Sequence, residues 1–96
     1  MTKALEDVLV DARALLSRPE NDFTWSSWRN AETAILEMDE LLASVRSGEV
    51  PRLILKVIFT ATGPMSEVAV SSGWGQDWVD LGARFDAALA EIPENG

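Results

Sequence analysis

Two close pairs of carboxylates are the residues whose types and spacing could do chemistry: Asp39 with Glu40, and Asp77 with Asp80. Paired carboxylates transfer protons or bind a metal ion when they converge in a cleft. A solvated helix face explains the first pair more simply, and interaction with the positive end of a helix dipole explains the second. We therefore expect no catalytic or metal site at either pair.

Residue types that many enzymes use are missing from the chain. It contains no histidine and no cysteine, so the commonest general base, a thiolate nucleophile and the usual zinc ligands are absent. Hydroxyl side chains such as Thr60 and Ser66 lie near Lys56 in the sequence, but without a Ser-x-x-Lys motif or a phosphate-binding glycine loop. The sequence predicts no cofactor, and it favours a protein that is not an enzyme without deciding the question.

The charge of the chain limits its partners. Eight basic and 16 acidic residues give a net charge of −8, which repels nucleic acid and anionic membranes and permits a basic protein partner. The first seven residues include Glu6 and Asp7, whereas a signal peptide would begin with basic residues. The most apolar run, residues 53–59, is interrupted by Lys56 and is too short to span a bilayer. We expect a cytoplasmic protein that binds neither nucleic acid nor membrane.

Apolar residues follow a helical period in three long segments. They recur at intervals of three and four from Leu5 to Leu16, from Ala31 to Val45 and from Trp74 to Ile92. Ninety-six residues with 47% hydrophobic content predict one domain over residues 1–96. We expect the second segment to be the central helix, with Gly82 on the last helix allowing a close approach between backbones.

The start of the central helix has two possible positions. Asp22 could cap a long helix over about residues 23–47, or Ser26 or Ser27 could cap a shorter one that begins at Trp28. We favour the longer helix. Gly48 marks its end, because glycine commonly follows the last residue of a helix.

Residues 52–60 and 66–71 are harder to assign. The first segment fits either a helix or a buried strand, and we favour the helix. In the second, Val68 and Val70 alternate with Glu67 and Ser71, which is typical of a short strand. The prediction is a mainly α fold of three to four helices with a short β element near 66–71. The alternative is an α+β fold with a hairpin formed by 52–60 and 66–71.

A few apolar residues do not fit the predicted core. Val10, Trp25 and Leu36 lie off the apolar faces of their helices, whereas the other three tryptophans fit the core spacing. A strand at 66–71 would also lack a partner, so a second copy could pair with it. We therefore predict a homodimer and an interaction surface with four residues: Val10, Trp25, Leu36 and Val68.

Part of the sequence resembles a known group of proteins. The run FTATGPMSEVAVSSGWG at residues 59–75, with WSSW at 25–28 and LGARFD at 81–86, resembles a small bacterial family of uncharacterised domains of unknown function. The resemblance covers residues 23–89 and implies a bacterial cytoplasmic protein, with no catalytic residue to transfer. In size and charge alone, the chain is also similar to small acidic immunity proteins that neutralise basic nuclease toxins.

Three functions follow from these observations. The first is a non-enzymatic protein-binding or accessory domain. The second is an acidic inhibitor of a basic toxin or nucleic-acid-binding protein, and the third is a small enzyme.

Overall fold

The computed structural model describes residues 2–24, 26–60 and 63–93. Over these ranges the chain contains helices and no strand, which confirms the prediction of a mainly α fold. The five helices are α1 (Lys3–Leu16), α2 (Ala31–Arg46), α3 (Arg52–Ile58), α4 (Pro64–Ser72) and α5 (Gly75–Ala90).

Helix α1 is the one that packs against two other long helices. It contacts α2 on one side and α5 on the other, while α4 packs against α5 and α3. Five of its side chains are buried with almost no exposure: Leu5, Val8, Leu9, Ala12 and Leu16. The expected central position of the second segment is therefore wrong, because α1 buries its apolar face between two neighbours.

The prediction of a helix from residue 23 is also wrong, because α2 begins at Ala31. Its cap is Asn30, whose side-chain oxygen accepts a hydrogen bond of 2.9 Å from the backbone N–H of Thr33. The earlier cap candidates form local turns instead: Asp22 accepts from the N–H of Thr24, and the Ser26 hydroxyl accepts from the N–H two residues on. Such bonds to nearby backbone groups compete with helix formation.

Residues 66–71 are helical, so the predicted β element and the alternative hairpin are both wrong. They belong to α4, where Met65, Val68 and Ala69 are buried at helical spacing. Pro64 begins this helix, and Gly73 ends it in the left-handed conformation with φ of 85°. The helix favoured for residues 52–60 is confirmed by α3, which spans Arg52–Ile58.

Aromatic stacking and hydrogen bonds hold α3 on α5. The Phe59 ring, just after α3, stacks on Trp78 and Phe85 with centroid distances of 5.6 and 4.3 Å. The Arg52 guanidinium donates to the carbonyl oxygens of Ile92 and Pro93 at 2.6 and 2.9 Å. These contacts fix which face of α3 meets the core.

The tryptophans predicted for the core are found there, since Trp28, Trp74 and Trp78 are all buried. The expectation for Gly82 is wrong, because a Cβ atom at this position would have nothing within 4 Å. No helix in the described part of the chain is long and apolar enough to cross a membrane.

Candidate functional site

The structure separates the four residues predicted to form an interaction surface. Val10 on α1 is 43% exposed and Leu36 on α2 is 60% exposed, whereas Val68 on α4 is fully buried and cannot contact a partner. Trp25 lies outside the described residues. Two of the four positions therefore remain available at the surface.

Val10 and Leu36 flank one ion pair between α1 and α2. The Arg13 Nε atom donates to Asp39 at 2.6 Å, and each of these residues follows one of the two apolar side chains by three positions. Positions three apart are neighbours on a helix surface. Each of the two apolar side chains therefore has a charged side chain as its neighbour on the helix surface.

A continuous exposed apolar face is found on α3, where the sequence analysis predicted none. We call Leu53, Ile54 and Val57 the α3 face; they are 78%, 49% and 54% exposed. Leu53 and Val57 are four positions apart and Ile54 and Val57 are three apart, so both pairs are neighbours on the helix surface. The helix has seven residues and buries only Leu55 and Ile58, so most of its apolar side chains face solvent.

The charge near the α3 face differs from that of the whole chain. Helix α3 contains Arg52 and Lys56 and no carboxylate, although the protein carries a net charge of −8. Both cations line a groove of about 530 Å³ between α3 and the end of α5, together with Asp86. The α3 face thus has a cationic edge in an acidic protein.

Asp77 and Asp80 line one groove of about 350 Å³ together with Asp11, whereas Asp39 and Glu40 line none of the grooves described. Asp39 pairs with Arg13, and Asp77 lies 3.6 Å from Arg18. Asp80 accepts a hydrogen bond of 3.1 Å from the Gln76 amide. Among the residues that the structure describes, no group of three carboxylates could hold a metal ion.

Comparison with known proteins gives no relative: no family model, no curated protein and no solved structure matches this chain. The resemblance to a bacterial family stays a prediction. The α3 face and the charges around it are the features of the structure that bear on function.

Proposed function

We propose that this protein is a non-enzymatic protein-binding domain that forms a homodimer through the α3 face. The observation that carries the proposal is the exposure of Leu53, Ile54 and Val57 together on one short helix. Single exposed apolar side chains are ordinary, whereas a contiguous group of them marks an interaction surface.

The charges of the molecule are least unfavourable to a second copy of this chain at the α3 face. Two molecules with a net charge of −8 repel each other, and the repulsion is smallest where carboxylates are fewest. Helix α3 contains no carboxylate, so a two-fold contact between the α3 faces brings apolar side chains together without opposing acids.

The proposed dimer is weak. Full burial of one such side chain is worth roughly 1.5–3 kcal/mol. Three such side chains are buried from each copy. The free energy gained by their burial is offset by an association cost of about 4–15 kcal/mol. We expect a Kd on the order of 1 μM or weaker, which is typical of small interfaces.

Sedimentation equilibrium on matched variants tests the dimer. Leu53→Glu places an acid in the first turn of α3, where the helix dipole favours it, so the fold should survive. We expect this variant to raise the dimer Kd by at least about tenfold, because it removes apolar area and adds a desolvated charge. Leu36→Glu is the control, since Leu36 is a similarly exposed leucine on another helix.

A second pair of variants compares valines in the same way. Val57→Glu should weaken the dimer, and Val10→Glu should leave it unchanged, although the two valines are similarly exposed. A wild type that stays monomeric well above the expected Kd would refute the homodimer. Equal effects of Val57→Glu and Val10→Glu would refute the role of the α3 face.

The acidic face of α2 favours a second candidate function, inhibition of a basic protein. Leu36 is exposed between Glu32 and Glu40, each four positions away, so one apolar side chain lies among acids on the same helix face. This pattern fits a basic amphipathic partner, with attraction that weakens as salt is added. A lysine- and leucine-rich helical peptide is the probe: Leu36→Ser should weaken its binding, because it removes the apolar contact without changing charge, and Leu53→Ser should not.

A further inference from the structure

A cavity between the end of α1 and the start of α2 differs in charge from three other grooves in the described part of the molecule. We call it the 17–31 cavity; its volume is about 600 Å³. It is lined by Ser17, Arg18, Pro19, Asn21, Phe23, Thr24, Ser26, Trp28, Arg29, Asn30 and Ala31. This lining includes two arginine residues and no carboxylate, whereas the three other grooves described each contain at least one acid.

The two arginines of the 17–31 cavity differ in their contacts with acids. Arg29 is exposed and makes no ion pair with any residue in 2–24, 26–60 or 63–93. Arg18 lies 3.6 Å from Asp77, which is longer than a hydrogen-bonded ion pair, and its side chain is 42% exposed. Both guanidinium groups can therefore bind another anion.

Two carboxylates near the 17–31 cavity, Asp22 and Glu37, are engaged in hydrogen bonds. Asp22 follows the cavity residue Asn21, but hydrogen bonds from the hydroxyl and the backbone N–H of Thr24 occupy its carboxylate. These bonds hold the pKa of Asp22 below its usual value. Glu37 accepts a hydrogen bond from the indole N–H of Trp28. Neither carboxylate lines the cavity.

Aromatic side chains complete the wall of the 17–31 cavity. Phe23 is partly buried, and Trp28 is buried with its polar edge already bonded, so both contribute apolar ring surface. The hydroxyls of Ser17 and Thr24 and the amide of Asn21 also line the cavity, but they donate to the Arg13 carbonyl oxygen, to the Asp22 carboxylate and to the Leu15 carbonyl oxygen, so the arginines supply its polar contacts to a ligand. A site of this kind suits a ligand with one anionic group and one apolar ring.

We propose that the 17–31 cavity binds a small organic anion, in which a phosphate or carboxylate group meets Arg18 and Arg29 and a flat ring lies against Phe23. This site is separate from the α3 face and does not depend on dimer formation. Phenyl phosphate and benzoate are the simplest probes, and inorganic phosphate tests whether the ring matters.

Titration of the ¹⁵N-labelled protein, followed by amide and arginine Nε chemical shifts, tests the site. With phenyl phosphate we expect saturable shifts confined to residues 17–31, with a Kd on the order of 1 mM or below. Arg29→Gln should raise the Kd about tenfold, because it removes a charge-assisted hydrogen bond while leaving an exposed amide that does not disturb folding. Arg13→Gln removes the same charge outside the cavity and should leave the Kd unchanged.

Three other results of the titration would contradict the proposal. Shifts that do not saturate, or that spread beyond the 17–31 cavity, would refute the site. Equal weakening by Arg13→Gln and Arg29→Gln would show that net charge alone is measured. Equal affinity for inorganic phosphate and phenyl phosphate would overturn the role of Phe23, and the expected result is tighter binding of phenyl phosphate.

Discussion

Met38→Asp is expected to unfold the domain. Met38 is 1% exposed on α2, within the core that α2 shares with α1. An unpaired charge there costs several kcal/mol, a large part of the roughly 5–15 kcal/mol that holds a small domain together. Urea denaturation followed by far-UV circular dichroism measures the loss, as a midpoint far below that of the wild type or as a variant unfolded in buffer.

Glu40→Ala is the matched control on the same helix. Glu40 is exposed and makes no ion pair within residues 2–24, 26–60 and 63–93. Its truncation should change the free energy of unfolding by no more than about 0.5 kcal/mol. Equal shifts of the two midpoints would show that α2 does not bury the face assigned to it.

The sequence predicts the long helices well because each repeats its apolar period several times. In α2 the buried residues Ala34, Met38, Leu41 and Val45 are those that the spacing indicates. The start of α2 was harder to locate, since Asp22, Ser26, Ser27 and Asn30 are all suitable caps and only tertiary packing decides among them.

Short helices have too few turns for the spacing of their apolar residues to predict secondary structure and burial. In α4, with nine residues, the alternation of Val68 and Val70 looks like a strand, although one side chain is fully buried and the other is 72% exposed. In α3 the composition predicts burial, but exposure depends on which elements pack against it. That information is tertiary, which is why Leu53 was not predicted as a surface residue.

The sequence does not predict the 17–31 cavity either, because the cavity also depends on tertiary structure. Its two arginines are 11 positions apart, and the sequence does not show that Arg13, Arg46 and Arg84 pair with acids whereas Arg29 pairs with no acid in the described part of the chain. Their juxtaposition arises from a loop that local bonds at Asp22 and Ser26 keep out of the helix. The cavity without carboxylates depends on the path of that loop in three dimensions, which the sequence does not predict.

Gly63→Ala is expected to be the most damaging of the conservative substitutions. An added Cβ atom would overlap the carbonyl oxygen of Val57 and lie 3.0 Å from that of Ile58. Both atoms are backbone at the end of α3 and cannot rotate away. Overpacking of this kind costs about 3 kcal/mol. For a domain of this size that corresponds to a fall of roughly 12–24 °C in Tm.

Gly82→Ala is also a glycine-to-alanine change, but it is expected to raise the stability of the protein. Gly82 lies inside α5 with no atom within 4 Å of an added Cβ, so alanine should stabilise the helix by about 0.5–1 kcal/mol. Differential scanning calorimetry of the two variants measures both effects. A Gly63→Ala variant as stable as the wild type would show that α3 and α4 are not in close contact at this joint.

Because the same joint positions α3, Gly63→Ala should also weaken the proposed dimer, whereas Gly82→Ala should leave it intact.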